Sequence, residues 1–323
     1  MRAWKNRDKL TTAFLLELPG PHNQWSLAEW GEALCLILSV PPNCSRDPRH
    51  LGRPIGNRYV DLWGSDVLCV NVAGGGWTRR HDRVKSCISS LGVYCGVAFV
   101  CEPYSLFTSH LPQRPLHRLQ AHQVRQAFRP DFLFHLPNTA DVKTIYFGNK
   151  KLYKPGMQGD TAVKLRAAEV PVEYKRTALQ MDQELGFTDG TGPTTRRLQS
   201  FPKVLDLCFG AYGEGSEGVK KLLDNFAKLR LRSQWLRKGT PEAEKELGLV
   251  TGYLRRRLST AVVRANVQCL LERMVLVGEG LGQAGKRRQW AQREEERARW
   301  DREARWLEKV TGRSLWRGGD FTQ

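Results

Sequence analysis

Apolar positions recur along this chain with two different periods, and the two periods map onto different segments. From Leu27 to Leu38 the residues Leu27, Trp30, Leu34, Ile37 and Leu38 return every three or four positions behind Ser26, which predicts a capped helix. A second stripe, Val84, Cys87, Ile88 and Leu91, predicts a helix over Arg79–Leu91 that Gly92 stops. Dense β-branched and aromatic residues then predict a buried strand over Val93–Val100. Further strands are expected at Asp131–Leu136 and Ala140–Phe147, joined by a tight turn at Pro137-Asn138, and at Val204–Gly210. A shorter apolar run, Val67–Val72, also reads as a strand.

Helical patterning returns at Ala162–Leu185, where Pro171 is expected to kink or split the helix, and at Gly218–Arg232. Residues Leu116–Phe128 also fit a helix. Thr240 and Pro241 open a long helix that extends to about Val277. Helix, three strands, helix, strand, helix is an α/β order with a three-strand meander at its centre. The organisation expected is a helical and loop extension over 1–70, an α/β core over 71–235, a long helix over 239–282 that packs on or beside the core, and a charged helical tail over 283–323.

At 323 residues the chain can bury a substantial core, and 41% hydrophobic with 26% charged residues excludes wholesale disorder. Its charge changes the picture more. Fifty-one Lys and Arg against 33 Asp and Glu leave a formal net charge of +18. The commonest partner for such a field is a phosphate backbone, with solubility or an anionic membrane surface as the competing explanations. No apolar run reaches the roughly 18 to 20 residues of a membrane span, and no secretory signal is recognisable. The eight cysteines form no CxxC pair and read as reduced core residues of an intracellular protein, nuclear in a eukaryote.

The candidate chemistry is Arg129-Pro130-Asp131 followed by Asp141-Val142-Lys143. Alternation along a strand projects Asp141 and Lys143 to one side and Val142 to the other. A hairpin between the two strands can bring Asp131 near Asp141, although the turn alone does not fix that register. Two adjacent carboxylates repel, and a hard divalent cation such as magnesium, with manganese as a substitute, resolves the conflict. Lys143 on the same face can then orient water and offset charge on a pentavalent phosphorus. The plainer explanation is a turn aspartate followed by a solvated Asp-x-Lys pair.

Together with Arg80-His81-Asp82 and Cys101-Glu102-Pro103, these residues resemble the PD-(D/E)XK restriction-endonuclease-like domain of retrotransposon-type mobile elements, over roughly residues 70–235. The resemblance implies a mixed sheet flanked by helices, with Asp131 and Asp141 as metal ligands and Lys143 as the catalytic lysine. It implies a further acid, for which Asp82 and Glu102 compete. Nucleic-acid contacts are expected at Arg80, His81, Arg129, Lys164, Arg166 and Lys175, with DNA favoured over RNA. The chain carries no reverse-transcriptase signature, so the resemblance is to the nuclease alone, with a domesticated copy as one form of it.

Other motifs carry less. His110, His117 and His122 fit no closed zinc site. Gly74-Gly75-Gly76 lacks the lysine of a phosphate loop, and Gly210 with Gly213 reads as a turn. The tail sets Trp290, Trp300, Trp306 and Trp316 among Arg and Glu, which favours a docking or self-associating helix. Three functional readings follow: a metal-dependent DNA endonuclease, a non-catalytic nucleic-acid-binding protein on a decayed nuclease fold, and a helical interaction scaffold.

Overall fold

A computed structural model describes residues 10–17, 24–38, 40–55, 58–70, 76–103, 106–108, 128–134, 139–145, 159–188, 190–202, 204–232 and 239–279. A 3-10 turn, Ala13–Leu16, precedes helix α1 (Leu27–Leu38), the short α2 (Asn43–Arg46), the two-residue strands β1 (Pro54–Ile55) and β2 (Arg58–Tyr59), and α3 (Ser65–Cys69). The central sequence of elements is α4 (Gly76–Tyr94), β3 (Phe99–Cys101), β4 (Phe132–Phe134), β5 (Thr139–Thr144), α5 (Gly159–Glu184), α6 (Pro193–Gln199), β6 (Leu205–Phe209) and α7 (Glu217–Arg232). Helix α8 (Pro241–Glu279) closes the described chain.

The fold is mixed α/β. Its main sheet has the order β3-β4-β5-β6, antiparallel except for the parallel pair β5 and β6. That reproduces the expected meander and sets the fourth strand beside its last member. One face of the sheet presents Phe132, Phe134, Ala140, Val142 and Leu207 to α4, α7 and α8 in a single core. A second core, with Cys208, Val163, Val170 and Tyr174, lies between the sheet and α5.

Helix α8 belongs to the first core and not to its margin. Leu254, Leu258, Val262 and Ala265 are buried there, while Leu270 and Met274 pack on α3, and Val263 and Val267 pack on Phe14 and α1. A helix buried on several sides loses the single apolar stripe of a surface helix. Among the described residues no helix is long and apolar enough to cross a membrane, and all eight cysteines are free thiols.

Several expectations change. The run expected as a strand at Val67–Val72 is helical as far as Cys69, because Gly64 turns left-handed (φ 65) and aims Val67 and Leu68 at α8. Gly92 does not end α4, which continues to Tyr94. A Cβ there would stand 2.8 Å from the Phe99 ring, so this glycine admits a close neighbour, and the turn falls at Gly96 (φ 72). The strand expected over Val93–Val100 therefore shrinks to Phe99–Cys101. Pro171 lies inside a continuous α5. Helix α1 is rotated from the expected stripe: Leu27 and Leu38 are exposed, whereas Glu29 and Glu32 are buried.

That rotation has a cause. Glu29 accepts from the Ser26 N–H at 2.9 Å while Ser26 Oγ accepts from the Glu29 N–H at 3.1 Å, a reciprocal cap. Glu29 then receives Arg264 of α8 at 3.0 Å. Glu32 accepts from the N–H groups of Asn43 and Cys44. Ser26→Ala is expected to lower stability by about 1 kcal/mol in urea unfolding, with no change in the slope. The expected helix at Leu116–Phe128, the Pro137-Asn138 turn, His110, His117, His122, Gly74 and Gly75, and the tail over 283–323 lie outside the described residues, save that Phe128 itself is described.

Candidate active site

The register of the hairpin assembles the site. Phe132 pairs with Ala140, so one step outward on each strand brings Asp131 opposite Asp141. Asp131 reaches across the strand end and accepts the Val142 N–H at 2.7 Å. Ala140 and Val142 enter the core on the α4 side, and alternation sends Asp141 and Lys143 to the opposite face. There Lys143 Nζ lies 2.8 Å from Asp141 Oδ2. The three residues that sequence spacing singles out thus form one cluster.

Burial sets its electrostatics. Asp131 and Asp141 are 8% and 4% exposed. Burial pushes the Asp141 carboxyl up to about 7; Lys143 opposes that rise, and the nearby charge of Asp131, together with a hydrogen bond between the two carboxyls, adds to it. Burial also acts to raise Asp131, but the hydrogen bond and charge of His81 and the Val142 N–H outweigh it and hold that carboxyl down at about 2. A proton shared by the pair therefore resides on Asp141.

Helix α4 supplies the surroundings. His81 and Lys85 are four residues apart and share the edge that faces Asp131. His81 Nε2 is 3.1 Å from Asp131 Oδ2, and its Nδ1 is 3.2 Å from Asp82 Oδ1. Burial acts to lower the His81 ring, yet its two carboxylate partners raise it to about 9, so it is an imidazolium at neutral pH. Lys85 bonds Glu102, stands 3.7 Å from Asp131, and lies 4.0 Å from Asp82. Arg129 holds the other Glu102 oxygen at 2.8 Å. Asp82 and Glu102, the rival fourth acids, are both tied to Asp131 through Lys85.

Lys85 was not singled out by sequence reasoning, although its spacing from His81 and Asp82 carried the signal. Of the other expected contacts, Arg80 and Arg166 are placed differently. Arg80 is 3% exposed and donates to the Thr144 carbonyl at 3.1 Å and towards Asn266 at 3.5 Å, which makes it an internal strut and removes it from a phosphate-facing surface. Arg166 is held by Glu169 at 2.7 Å and Glu173 at 2.6 Å, so its charge is largely neutralised. Lys164 and Lys175 are exposed on α5. Tyr174 is buried against Phe107 and Phe128.

The donor chemistry of Asp131 and Asp141 fits a hard cation with open positions: two adjacent oxygen ligands, one of which burial keeps protonated near neutral pH, with the charge of its neighbour adding to the effect. Among the described residues, no group of three or more His, Cys, Asp and Glu side chains is arranged to hold a metal by itself. Remaining ligands would have to come from water, backbone or substrate phosphate. Compared with known proteins, the chain matches no family model, no curated protein and no solved structure.

Proposed function

We propose that this chain is a magnesium-dependent phosphodiesterase of the PD-(D/E)XK type, an endonuclease acting on DNA and derived from a mobile element. One observation carries the reading: the hairpin register sets Asp131 opposite Asp141, with the Lys143 ammonium 2.8 Å from Asp141. The net charge of +18 supports a polyanionic substrate.

Asp131 and Asp141 would hold the cation, which when bound polarises a phosphoryl oxygen and acidifies water. Manganese would serve the same ligands. Lys143 directs a water towards phosphorus and offsets the negative charge that grows on the phosphoryl oxygens. The water oxygen attacks phosphorus, one P–O ester bond breaks, the water's proton leaves to solvent, and the departing sugar oxygen takes a proton from solvent to leave as a hydroxyl. His81 fixes the orientation of Asp131 from behind, with Asp82 on its far nitrogen.

A second reading, a nucleic-acid-binding protein on a decayed nuclease fold, draws on a different observation. One oxygen of Asp131 is already engaged by both the Val142 N–H and His81. Incubation with supercoiled plasmid and with single-stranded DNA, in magnesium or manganese, separates the two. The parent is expected to cut, and Lys143→Ala to lose at least about a hundredfold in rate with DNA affinity changed less than about threefold. A parent that binds but never cuts with either metal sinks the enzyme reading.

A further inference from the structure

We propose that Lys85 and Arg129 form a binding site for a phosphodiester group of the nucleic-acid strand, and that Glu102 keeps it closed as a carboxylate stand-in for that phosphate. The inference rests on the nucleic-acid reading above and extends it to a group outside the Asp131, Asp141 and Lys143 cluster.

The geometry begins with the two cations. Lys85 comes from α4 and Arg129 from the segment that enters β4, and each takes a different oxygen of Glu102. Two cations on two oxygens of one planar anion is also how non-bridging phosphate oxygens are held. Side-chain exposure rises from 13% at Lys85 to 28% at Arg129 and 38% at Glu102, so the carboxylate is outermost. It can swing into water while the cations stay. Lys85 also stands 3.7 Å from Asp131, which fixes the site beside the proposed scissile position.

The backbone supplies an independent observation. Glu102 has φ 49, and among the described residues no other non-glycine residue has positive φ. A glutamate in that left-handed region is strained, because its Cβ crowds the following carbonyl oxygen. Its N–H donates to the Asp131 carbonyl at 2.8 Å, which extends the β3–β4 ladder by one step and holds the strained turn. The outer of the two ion pairs, Arg129 with Glu102, is exposed enough to stabilise little. Residues held in such conformations cluster where a ligand is handled.

Removing the charge of Glu102 while keeping its shape should open the site. Anisotropy of a short fluorescein-labelled oligonucleotide, single-stranded and duplex, is read in EDTA so that no cutting intervenes, with circular dichroism confirming the fold. Glu102→Gln is expected to bind roughly fivefold tighter, with a salt dependence steeper by about one phosphate contact. Arg129→Gln is expected to bind roughly fivefold weaker, and the double variant to lose the gain. Three results overturn the proposal: a Glu102→Gln affinity that is unchanged or weaker, an Arg129→Gln affinity equal to the parent, or tighter binding of inorganic phosphate without tighter binding of the strand. The catalytic reading fails separately. A parent that never cuts plasmid, with Glu102→Gln still binding tighter, removes the nuclease and leaves the phosphate site. Cutting that depends on Lys143, with Glu102→Gln binding unchanged, does the reverse.

Discussion

Asp141→Asn is expected to lose roughly a thousandfold in cleavage rate and yet to unfold later than the parent at pH 8. The two effects have one cause. Asp141 is almost wholly buried beside a second carboxylate, and its folded pKa is pushed up to about 7 from an ordinary value of 3.8. A carboxyl raised on folding binds its proton more tightly in the native state than in the unfolded chain. Its contribution to stability is complete below about pH 4 and is lost as pH rises through 7. Above that, the native state carries two repelling charges at the end of the β4–β5 hairpin. Asparagine cannot ionise, and its amide can donate to Asp131. The gain at pH 8 is on the order of 2 to 4 kcal/mol, the 2.8 Å ion pair with Lys143 being already part of the shift. It should shrink as pH falls through 7 and vanish only below about pH 4, where the aspartate is protonated in the unfolded chain as well. Urea unfolding at the two pH values measures this directly. A variant less stable than the parent at pH 8 would show that ionising the buried Asp141 beside Asp131 costs the fold nothing, and would remove the reason for a cation.

The neighbours titrate too, Asp131 with a trend opposite to that of Asp141 and His81 with the same trend at higher pH, and the experiment must separate them. Asp131 is held low by His81, so its contribution is present above about pH 4 and fades as pH falls towards 2. His81 is raised to about 9, so its contribution is complete below about pH 6.5 and is lost as pH rises through 9. Between about pH 5 and 8, Asp141 is the member of this trio that changes charge most extensively. The difference between the Asp141→Asn variant and the parent in that window therefore isolates it.

Much of this arrangement is legible in the sequence, because strand alternation is a local property. Asp141 and Lys143 had to share a face once Val142 belonged to the core. Opposition of Asp131 to Asp141 was not legible, since it depends on how the chain turns between two short strands. Lys85 was legible in principle: a lysine four residues after His81 on one helix must share its edge. Arg80 was misleading for the complementary reason. It neighbours His81 in sequence, but one helical step is about 100°, which turns it towards Thr144 and Asn266. The buried face of α1 and the helical state of Ser65–Cys69 depended on α8, which is remote in sequence and itself without a single apolar stripe. Long-range packing overrode local pattern at both places.

Two glycines in helices should respond to the same substitution with opposite signs, and the difference tests how firmly the site is braced. A Cβ on Gly218, in the first turn of α7, would stand 2.1 Å from the Asp206 carbonyl oxygen and 2.9 Å from its carbon. Neither partner can easily retreat. Asp206 pairs with Asp141 in the parallel β5–β6 ladder, and its carbonyl also accepts Ser216 Oγ at 2.5 Å. Gly218→Ala is therefore expected to cost about 3 kcal/mol, near the upper end for overpacking. Whatever relief occurs must displace β6 against Asp141, so cleavage by the remaining folded protein should fall as well. Gly248, exposed in α8, has nothing within 4 Å of its added Cβ. Gly248→Ala should raise stability by about 0.5 to 1 kcal/mol through helix propensity and leave cleavage unchanged. Paired thermal unfolding and plasmid cutting would check both signs. Equal stabilities for the two variants would mean that α7 is free to slide along β6, and with it that Asp141 lacks the rigid support on which its position opposite Asp131 depends.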